Sequence, residues 1–445
     1  MKNVLKHIKL SKTLYVLLFV NIVLYVLSFL FPILYSIAFS FLILLILVAV
    51  IDTILLFRNE LPLHLSRQSK FARLSNGDSN ELYLEIENLY AFKIKIKLID
   101  ELPVQFQQRD FLINIKLNSG EQKKLSYTVR PVERGEYHFG KINALICSPI
   151  GFIERHFVSG ENFMLACYPS FLKLNQYELL AISNRLSEIG TKKIKRIGHS
   201  SEFEQIKEYV IGDDVRTINW KATARKNQLM VNHYRDERAQ QVYCLIDMGR
   251  IMKMPFEKLS LLDYAINAAL VLGHIAWIKD DKPGLIGFSD KINYQVQAER
   301  KGNQLLRLQE TLYNAKTDFK ESNYEMLLTY TRTKITQRSL FLLFTNFETL
   351  SGLKRQMKYL RKIATQHLLV VIFFENTELK ELLNKKPEST FEIYEQTIAA
   401  KFDQERRQII KELQQYGILS VYTSPENLTV NTLNKYLEIK TRSLL

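Results

Sequence analysis

Gln241-Val242-Tyr243-Cys244-Leu245-Ile246-Asp247-Met248-Gly249-Arg250-Ile251 decides the fold. After Gln241 the run is apolar without alternation until Asp247. A short run with both faces apolar reads as a strand buried on both sides, the kind found in parallel sheets covered by helices. The rest of the chain has the matching rhythm. A long apolar helical pattern covers 259–278, and the segments 284–288 and 292–296 flank Ser289-Asp290-Lys291 as a hairpin. Helices are expected at 304–313 and 324–331, a strand at 340–344, a helix at 353–363 and a strand at 368–374. Helical stretches at 378–382 and 391–416, a strand at 418–422 and a final helix complete the chain. Strands alternating with helices over 241–445 predict a doubly wound, Rossmann-like α/β sheet, mostly parallel with one antiparallel hairpin strand. Such sheets bind ligands outside the carboxyl ends of their strands. Asp247 and Gly249 come after the first strand there, and Thr345 and Asn346 after a later one.

Upstream, residues 171–240 form a charged connector. It carries the basic run 192–196, then Gly198-His199-Ser200-Ser201-Glu202-Phe203-Glu204, Tyr209-Val210-Ile211-Gly212-Asp213-Asp214-Val215-Arg216 and Ile218-Asn219-Trp220-Lys221-Ala222-Thr223-Ala224-Arg225. Three readings compete. Glu202, Glu204, Asp213 and Asp214 would hold a divalent metal; Lys221, Arg225 and Lys226 would hold phosphate; or the charges pair with one another. No His-x-His or Cys-x-x-Cys spacing assists a metal, and no glycine-rich loop with a following Lys-Ser/Thr assists phosphate. The interleaving of opposite signs favours mutual pairing. His199 beside two serines lacks the Gly-x-Ser-x-Gly elbow of a serine hydrolase.

Residues 61–170 alternate with period two: Leu82-Tyr83-Leu84-Glu85-Ile86-Glu87, Phe92-Lys93-Ile94-Lys95-Ile96-Lys97-Leu98, then 112–117 and 125–129. Turn signals at Ser75-Asn76-Gly77-Asp78, Leu102-Pro103, Asn118-Ser119-Gly120 and Arg134-Gly135-Glu136 separate them, which predicts a small β-sandwich. Lys93, Lys95 and Lys97 read as a solvated face that blocks edge pairing rather than as a nucleic-acid stripe.

The first sixty residues read as a membrane anchor. From Thr13 to Ile51 there are 39 residues without a charge. One span takes about 20, so the run suits two helices, 14–30 and 33–57, broken at Phe31-Pro32. A cleaved signal peptide has a shorter apolar core and a small-residue cleavage site, and neither is present. Lys2, Lys6, Lys9 and Lys12 precede the first helix, and Arg58, Arg67, Lys70 and Arg73 come after the second. Basic flanks favour the cytoplasmic side, so both ends of the hairpin and the whole chain beyond residue 60 are expected in the cytosol. Asp52, near a helix end, is expected at the interface. Lys and Arg number 61 against 46 Asp and Glu, a net charge of +15 in 445 residues with three cysteines. The cysteines suit a reducing compartment, with Cys147, Cys167 and Cys244 buried in strands or loops, and the charge suits a chain beneath an anionic membrane.

Several motifs resemble the domain of unknown function 58 family, bacterial membrane proteins encoded beside MoxR-type AAA+ ATPases. They are Gly198, Glu202 and Phe203, then Tyr209, Gly212, Asp213, Asp214 and Arg216, then Trp220, Lys221 and Arg225 with their neighbours. Arg134-Gly135-Glu136-Tyr137 and Ser148-Pro149-Ile150-Gly151-Phe152 resemble the ending of that family's β domain, where Ser148 stands in place of the usual Asp.

The resemblance implies a membrane hairpin (1–60), a β-sandwich (61–170), the signature connector (171–240) and a von Willebrand factor A-like domain (241–445). Such a domain often carries a metal-ion-dependent adhesion site of pattern Asp-x-Ser-x-Ser, with a Thr and an Asp from later loops. Here Asp247 is present, Gly249 and Ile251 replace the serines, and the Thr position falls on Ser322. The last position falls on Asn346, an amide in place of a carboxylate. Mg²⁺ wants several oxygen ligands and charges together, so a degenerate, metal-free site is expected, with Asp247 paired to Arg250 or another base. The expected function is a non-enzymatic scaffold on the cytoplasmic membrane that presents the A-like domain to a protein partner. The resemblance makes that partner a MoxR-type ATPase, in a chaperone-like or envelope-maintenance role. Two alternatives are a metal-assisted hydrolase built on Glu202, Asp213 and Asp214, and a nucleic-acid-binding protein. No helix-turn-helix, zinc finger or RNP motif favours the latter.

Overall fold

The computed structural model describes residues 7–445 except 109–110, 161–162, 175, 180–201, 212, 214, 236–238, 388, 443 and 445, and gives only the backbone at 202–204 and 233–235. The chain forms two compact units, Met1–Tyr168 and Pro169–Leu445. The expected anchor and β domain lie in the first; the connector and the α/β sheet lie in the second.

In the first unit, two apolar helices form a hairpin, Lys12–Leu27 and Ile33–Phe57. The first starts at Ser11, whose hydroxyl accepts from Leu14 N, and ends three residues before the expected boundary, in a turn that leads to Pro32. At about 1.5 Å per residue the second helix spans about 37 Å, more than the roughly 30 Å of a bilayer core. The first is shorter, about 24 Å by the same rise. Their large apolar side chains, among them Phe19, Ile33, Phe39 and Ile43, face outward. Water disfavours so broad an apolar surface, so the hairpin supports membrane association. Asn21 Nδ2 donates to Ala38 O at 3.1 Å, one polar tie between the helices. The helix Leu261–Ile278 is also long and apolar, but it lies mostly buried within the second unit as a core helix.

Asp52 departs from expectation. It is fully buried, not interfacial. It accepts the Ser148 hydroxyl and the main-chain N–H groups of Phe152 (2.9 Å) and Ile153 (2.8 Å). One turn on, Arg155 donates to the carbonyls of Leu56, Asn59 and Glu60, satisfying the open C-terminal end of the helix. Ser148 is the residue that stands where the resembled family has Asp, and here its hydroxyl meets an acid supplied by the helix.

The β strands of this unit assemble as a five-stranded and two three-stranded sheets facing one core. The alternation of Asn80–Asn88 and Ile94–Asp100 puts Leu82, Leu84, Ile86, Ile94, Ile96 and Leu98 inside. The strand with Lys95 and Lys97 pairs on both sides, with Ile113–Leu117 and Ile142–Cys147, so these lysines do not guard an edge. Lys97 instead pairs with Glu154 at 2.8 Å. Cys147 and Cys167 form no disulfide, and burial pushes the Cys147 thiol up to about 11.

In the second unit, β1 (Gln241–Asp247), β2 (Lys282–Phe288), β3 (Ile292–Val296), β4 (Leu340–Phe344), β5 (Leu368–Phe374) and β6 (Leu419–Thr423) form one sheet in the order β3-β2-β1-β4-β5-β6. All neighbours are parallel except β3 against β2, in agreement with the sequence reading. Alternate residues of β1 feed two cores. Val242, Cys244 and Ile246 pack with the helices Leu261–Ile278 and Leu428–Thr441. Tyr243 and Leu245 pack with Tyr324–Lys334, Leu350–Gln366 and Thr390–Gln415. Burial on both faces explains why β1 shows no alternation. Cys244 sits inside, and burial pushes its thiol up to about 12.

Candidate functional site

The strand order fixes where a site belongs. β2 lies on one side of β1 and β4 on the other, so the succession of strands reverses between β1 and β4, and a crevice is expected outside their carboxyl ends. Asp247 ends β1, and Thr345 and Asn346 come directly after β4. Asp247 is fully buried. Its Oδ1 accepts Gly249 N at 2.9 Å and the Ser322 hydroxyl. Its Oδ2 accepts Thr345 Oγ1 at 2.7 Å and the Tyr324 hydroxyl at 3.0 Å, and those two hydroxyls are themselves 2.7 Å apart. Burial raises the Asp247 carboxyl above its ordinary value, although the four donors pull the other way. Burial and the neighbouring Asp247 charge push the Tyr324 hydroxyl well up.

The expected base is not among these donors. The Arg250 side chain is exposed, and its contribution is a main-chain N–H to Lys320 O at 3.1 Å. Buried among neutral donors alone, Asp247 replaces a salt bridge with a closed ring of hydroxyls and one amide. Gly249 is part of that closure. A Cβ at this position would collide with Ser322 Oγ and lie 3.0 Å from Lys320 O, so Ser322 occupies the space a side chain at 249 would need. Ile251 packs against the core.

Of the three adhesion-site positions, Asp247 and Ser322 meet. Asn346 does not join them: its Oδ1 accepts Arg406 Nη1 at 3.1 Å, and the same nitrogen donates to Phe347 O. Thr345 is the residue of that loop that reaches Asp247. Tyr324 and Arg406 were not singled out from the sequence; Tyr324, two residues after Ser322 at a helix start, was the more findable. Mg²⁺ binding takes near-octahedral oxygen ligation and more negative charge than this ring supplies. The donors point at the carboxylate rather than away from it, so the arrangement does not fit the ion. Among the described residues, no group of three or more His, Cys, Asp or Glu is placed to hold a metal.

The described part of the connector beyond residue 201 is a two-stranded ribbon with a short helix. Glu202–Glu208 pairs antiparallel with Met230–Arg235. Between them lie the turn Val215–Thr217 and the helix Trp220–Lys226, capped by Asn219, whose Oδ1 accepts Ala222 N at 3.0 Å. Asn219 Nδ2 also donates to Asn232 Oδ1 at 2.8 Å, and Thr223 Oγ1 accepts Met230 N at 3.0 Å, so polar ties fasten the helix to the ribbon. Tyr209 continues the ribbon through N–H donation to Leu229 O at 2.8 Å. Asp213 pairs with Lys207 at 2.8 Å.

The basic residues of the short helix do not share in such pairing among the described residues. Lys221, Arg225 and Lys226 make no ion pair among the described residues, and Lys221 and Arg225 share a helix face four residues apart. In the same segment Ile211 is 97% exposed, Trp220 70%, and Val210 and Val215 63% each. Arg216 is exposed as well. Gly198, Gly212 and Asp214, with the basic run 192–196 and His199, lie outside the described residues, as do the side chains of Glu202, Phe203 and Glu204.

The family model "Protein of unknown function DUF58" matches residues 205–413, which takes in the ribbon and most of the six-stranded sheet. Over those residues the chain is similar to this family. An uncharacterized protein of Bacillus subtilis (strain 168), YeaD, is 26% identical over 190 residues, 41% of this chain, and the match spans 47% of that relative's length. Similar solved structures include the CARDB domain of PF1109 from Pyrococcus furiosus (14% identity, 24% of this chain and 94% of that one, TM-score 0.17). Another is Escherichia coli alpha-2-macroglobulin activated by porcine elastase (19% identity, 25% and 10%, TM-score 0.18).

Proposed function

We propose that the chain is a non-enzymatic adaptor, anchored by its apolar hairpin to the cytoplasmic face of the cytoplasmic membrane, that presents a von Willebrand factor A-like domain to a protein partner. The observation that carries this reading is the signature ribbon: almost fully exposed Ile211 and largely exposed Trp220, Val210 and Val215, flanked by Lys221, Arg225 and Lys226, which have no acid partner among the described residues. A large aromatic with surrounding aliphatics and a basic rim is the composition of a docking surface for an acidic partner. Resemblance to a family encoded beside MoxR-type AAA+ ATPases makes such an ATPase the proposed partner, in a chaperone-like or envelope-maintenance role.

The buried ring around Asp247 supports a structural rather than catalytic role, since a fully buried carboxylate that already accepts four hydrogen bonds is poorly placed to abstract a proton or bind a cation. In this reading the adhesion site is degenerate and metal-free. Asp213 supports the same conclusion: its pairing with Lys207 leaves it a poor ligand for a hydrolytic metal. The apolar content of the ribbon also argues against nucleic acid, which would be met by bases without so many aliphatics.

Co-purification tests the reading. Full-length protein in detergent should enrich the nucleotide-loaded ATPase from the same organism, and Trp220→Ala with Lys221→Glu should reduce that enrichment by about tenfold or more, the scale of a lost hot spot. Equal enrichment by wild type and variant would contradict it.

A further inference from the structure

Arg406 lies on the helix Thr390–Gln415 and is 9% exposed. Buried charges are normally paired, because an unpaired one bears its full desolvation cost. Arg406 has no carboxylate partner among the described residues. Both of its hydrogen bonds, to Asn346 Oδ1 and Phe347 O, come from Nη1. Nη2 and Nε have no partner among the described residues. Two acids that border the same region are engaged elsewhere: Glu375 with Lys380 and Asp403 with Arg407, each at 3.0 Å. Burial works against its charge, opposed by Tyr422, Glu348 and Glu405.

Arg406 borders a cleft outside the carboxyl ends of β4 and β5. Met254, Phe256 and Phe374 supply apolar walls, Asn346 the floor beside Arg406, and Asn376 and Thr377 the start of the next helix. Glu375 and the exposed Glu378 also border it. Their charges disfavour a dianion such as phosphate. The Nε and Nη2 edge of a guanidinium is a two-pronged donor whose spacing matches one carboxylate.

We propose that this cleft binds a single side-chain carboxylate, an Asp or Glu of a partner protein, held two-pronged by Nε and Nη2 of Arg406 with its methylene stem against Met254 and Phe256. The site rests on the docking reading only for the origin of that carboxylate.

The test uses full-length protein in detergent and a blocked tripeptide, acetyl-Ala-Glu-Ala-amide, whose one charge is the side chain. Binding is followed by saturation-transfer NMR, with the Gln peptide and inorganic phosphate as comparisons. The expected result is saturable binding of the Glu peptide, about tenfold weaker binding of the Gln peptide, and a similar loss in Arg406→Gln but not in Arg407→Gln. Arg406→Lys keeps the charge without the fork, and should also weaken binding; it serves if Arg406→Gln does not fold. If neither variant folds, the Glu and Gln peptides on wild type decide the matter. Equal binding of the two peptides, no saturation, an unaffected Arg406→Gln, or tighter binding of phosphate would each overturn the proposal. The probe requires no ATPase, so failure of ATPase capture and failure of this site are separately visible.

Discussion

Thr345 Oγ1 donates to Asp247 Oδ2 over 2.7 Å, joining the carboxyl ends of two adjacent parallel strands at the point where the strand order reverses. In an open α/β sheet that point is where a ligand is usually found. Here it is filled by the protein's own hydroxyls. The carboxylate is an internal fastening between the two strands, and the docking surfaces proposed above, the ribbon and the cleft beside Arg406, are built from other residues.

The fastening should respond to pH in a definite direction. Burial raises the Asp247 carboxyl in the folded state. An acid raised on folding contributes stability that is complete below its unfolded value, about 3.9, and is lost as pH rises through the folded value. The unfolding free energy of wild type relative to Asp247→Asn should therefore be most favourable in acid and decline as pH rises above about 4. Urea unfolding of the two proteins across that range measures it. A difference that stays flat, or grows with pH, would contradict the assigned burial.

Gly249 and Ser322 compete for one volume. Gly249→Ser restores a residue of the adhesion-site pattern, yet its Cβ would strike Ser322 Oγ. It should cost about 1–3 kcal/mol, typical of overpacking, and Ser322→Gly in the same chain should recover part of the loss. Denaturant midpoints of the four proteins of this cycle decide the matter, and an undisturbed Gly249→Ser would show that Ser322 does not fill the space.

Asp52 should hold the helix Ile33–Phe57 to the end of the β domain. Asp52→Ala strands the N–H groups of Phe152 and Ile153, at about 1–3 kcal/mol for each buried donor left without an acceptor. Asp52→Asn keeps one acceptor oxygen and should lose less. Hydrogen exchange at Phe152 and Ile153 reports it, faster in Asp52→Ala than in Asp52→Asn; unchanged exchange in both would rule the tie out.

These sites differ in how far the sequence exposes them. β1 was legible because a strand buried on both faces is apolar throughout, and the alternating β strands because one face of each is wet. Asp247 was legible as a strand end, and Ser322 through the family pattern. The rest depends on contacts distant in the chain. Tyr324 reaches Asp247 across 77 residues, Arg406 reaches Asn346 across 60, and Asp52 meets Phe152 across 100. A lone acid ending an apolar run looks interfacial when its acceptor role depends on N–H groups so far away. In the connector, interleaved signs suggested pairing. Helix geometry instead puts Lys221 and Arg225 on one face, without acid partners among the described residues, because pairing requires convergence and not equal numbers.

Docking of a partner protein on the signature ribbon is tested most directly by a photo-crosslinking amino acid at position 211, in full-length protein expressed in its own cells. Position 334, on an α/β helix, serves as the comparison. A discrete adduct with a MoxR-type ATPase at 211 and none at 334, abolished by Trp220→Ala with Lys221→Glu, is the predicted result. No adduct at 211 above that at 334, or an adduct indifferent to the substitutions, would contradict it.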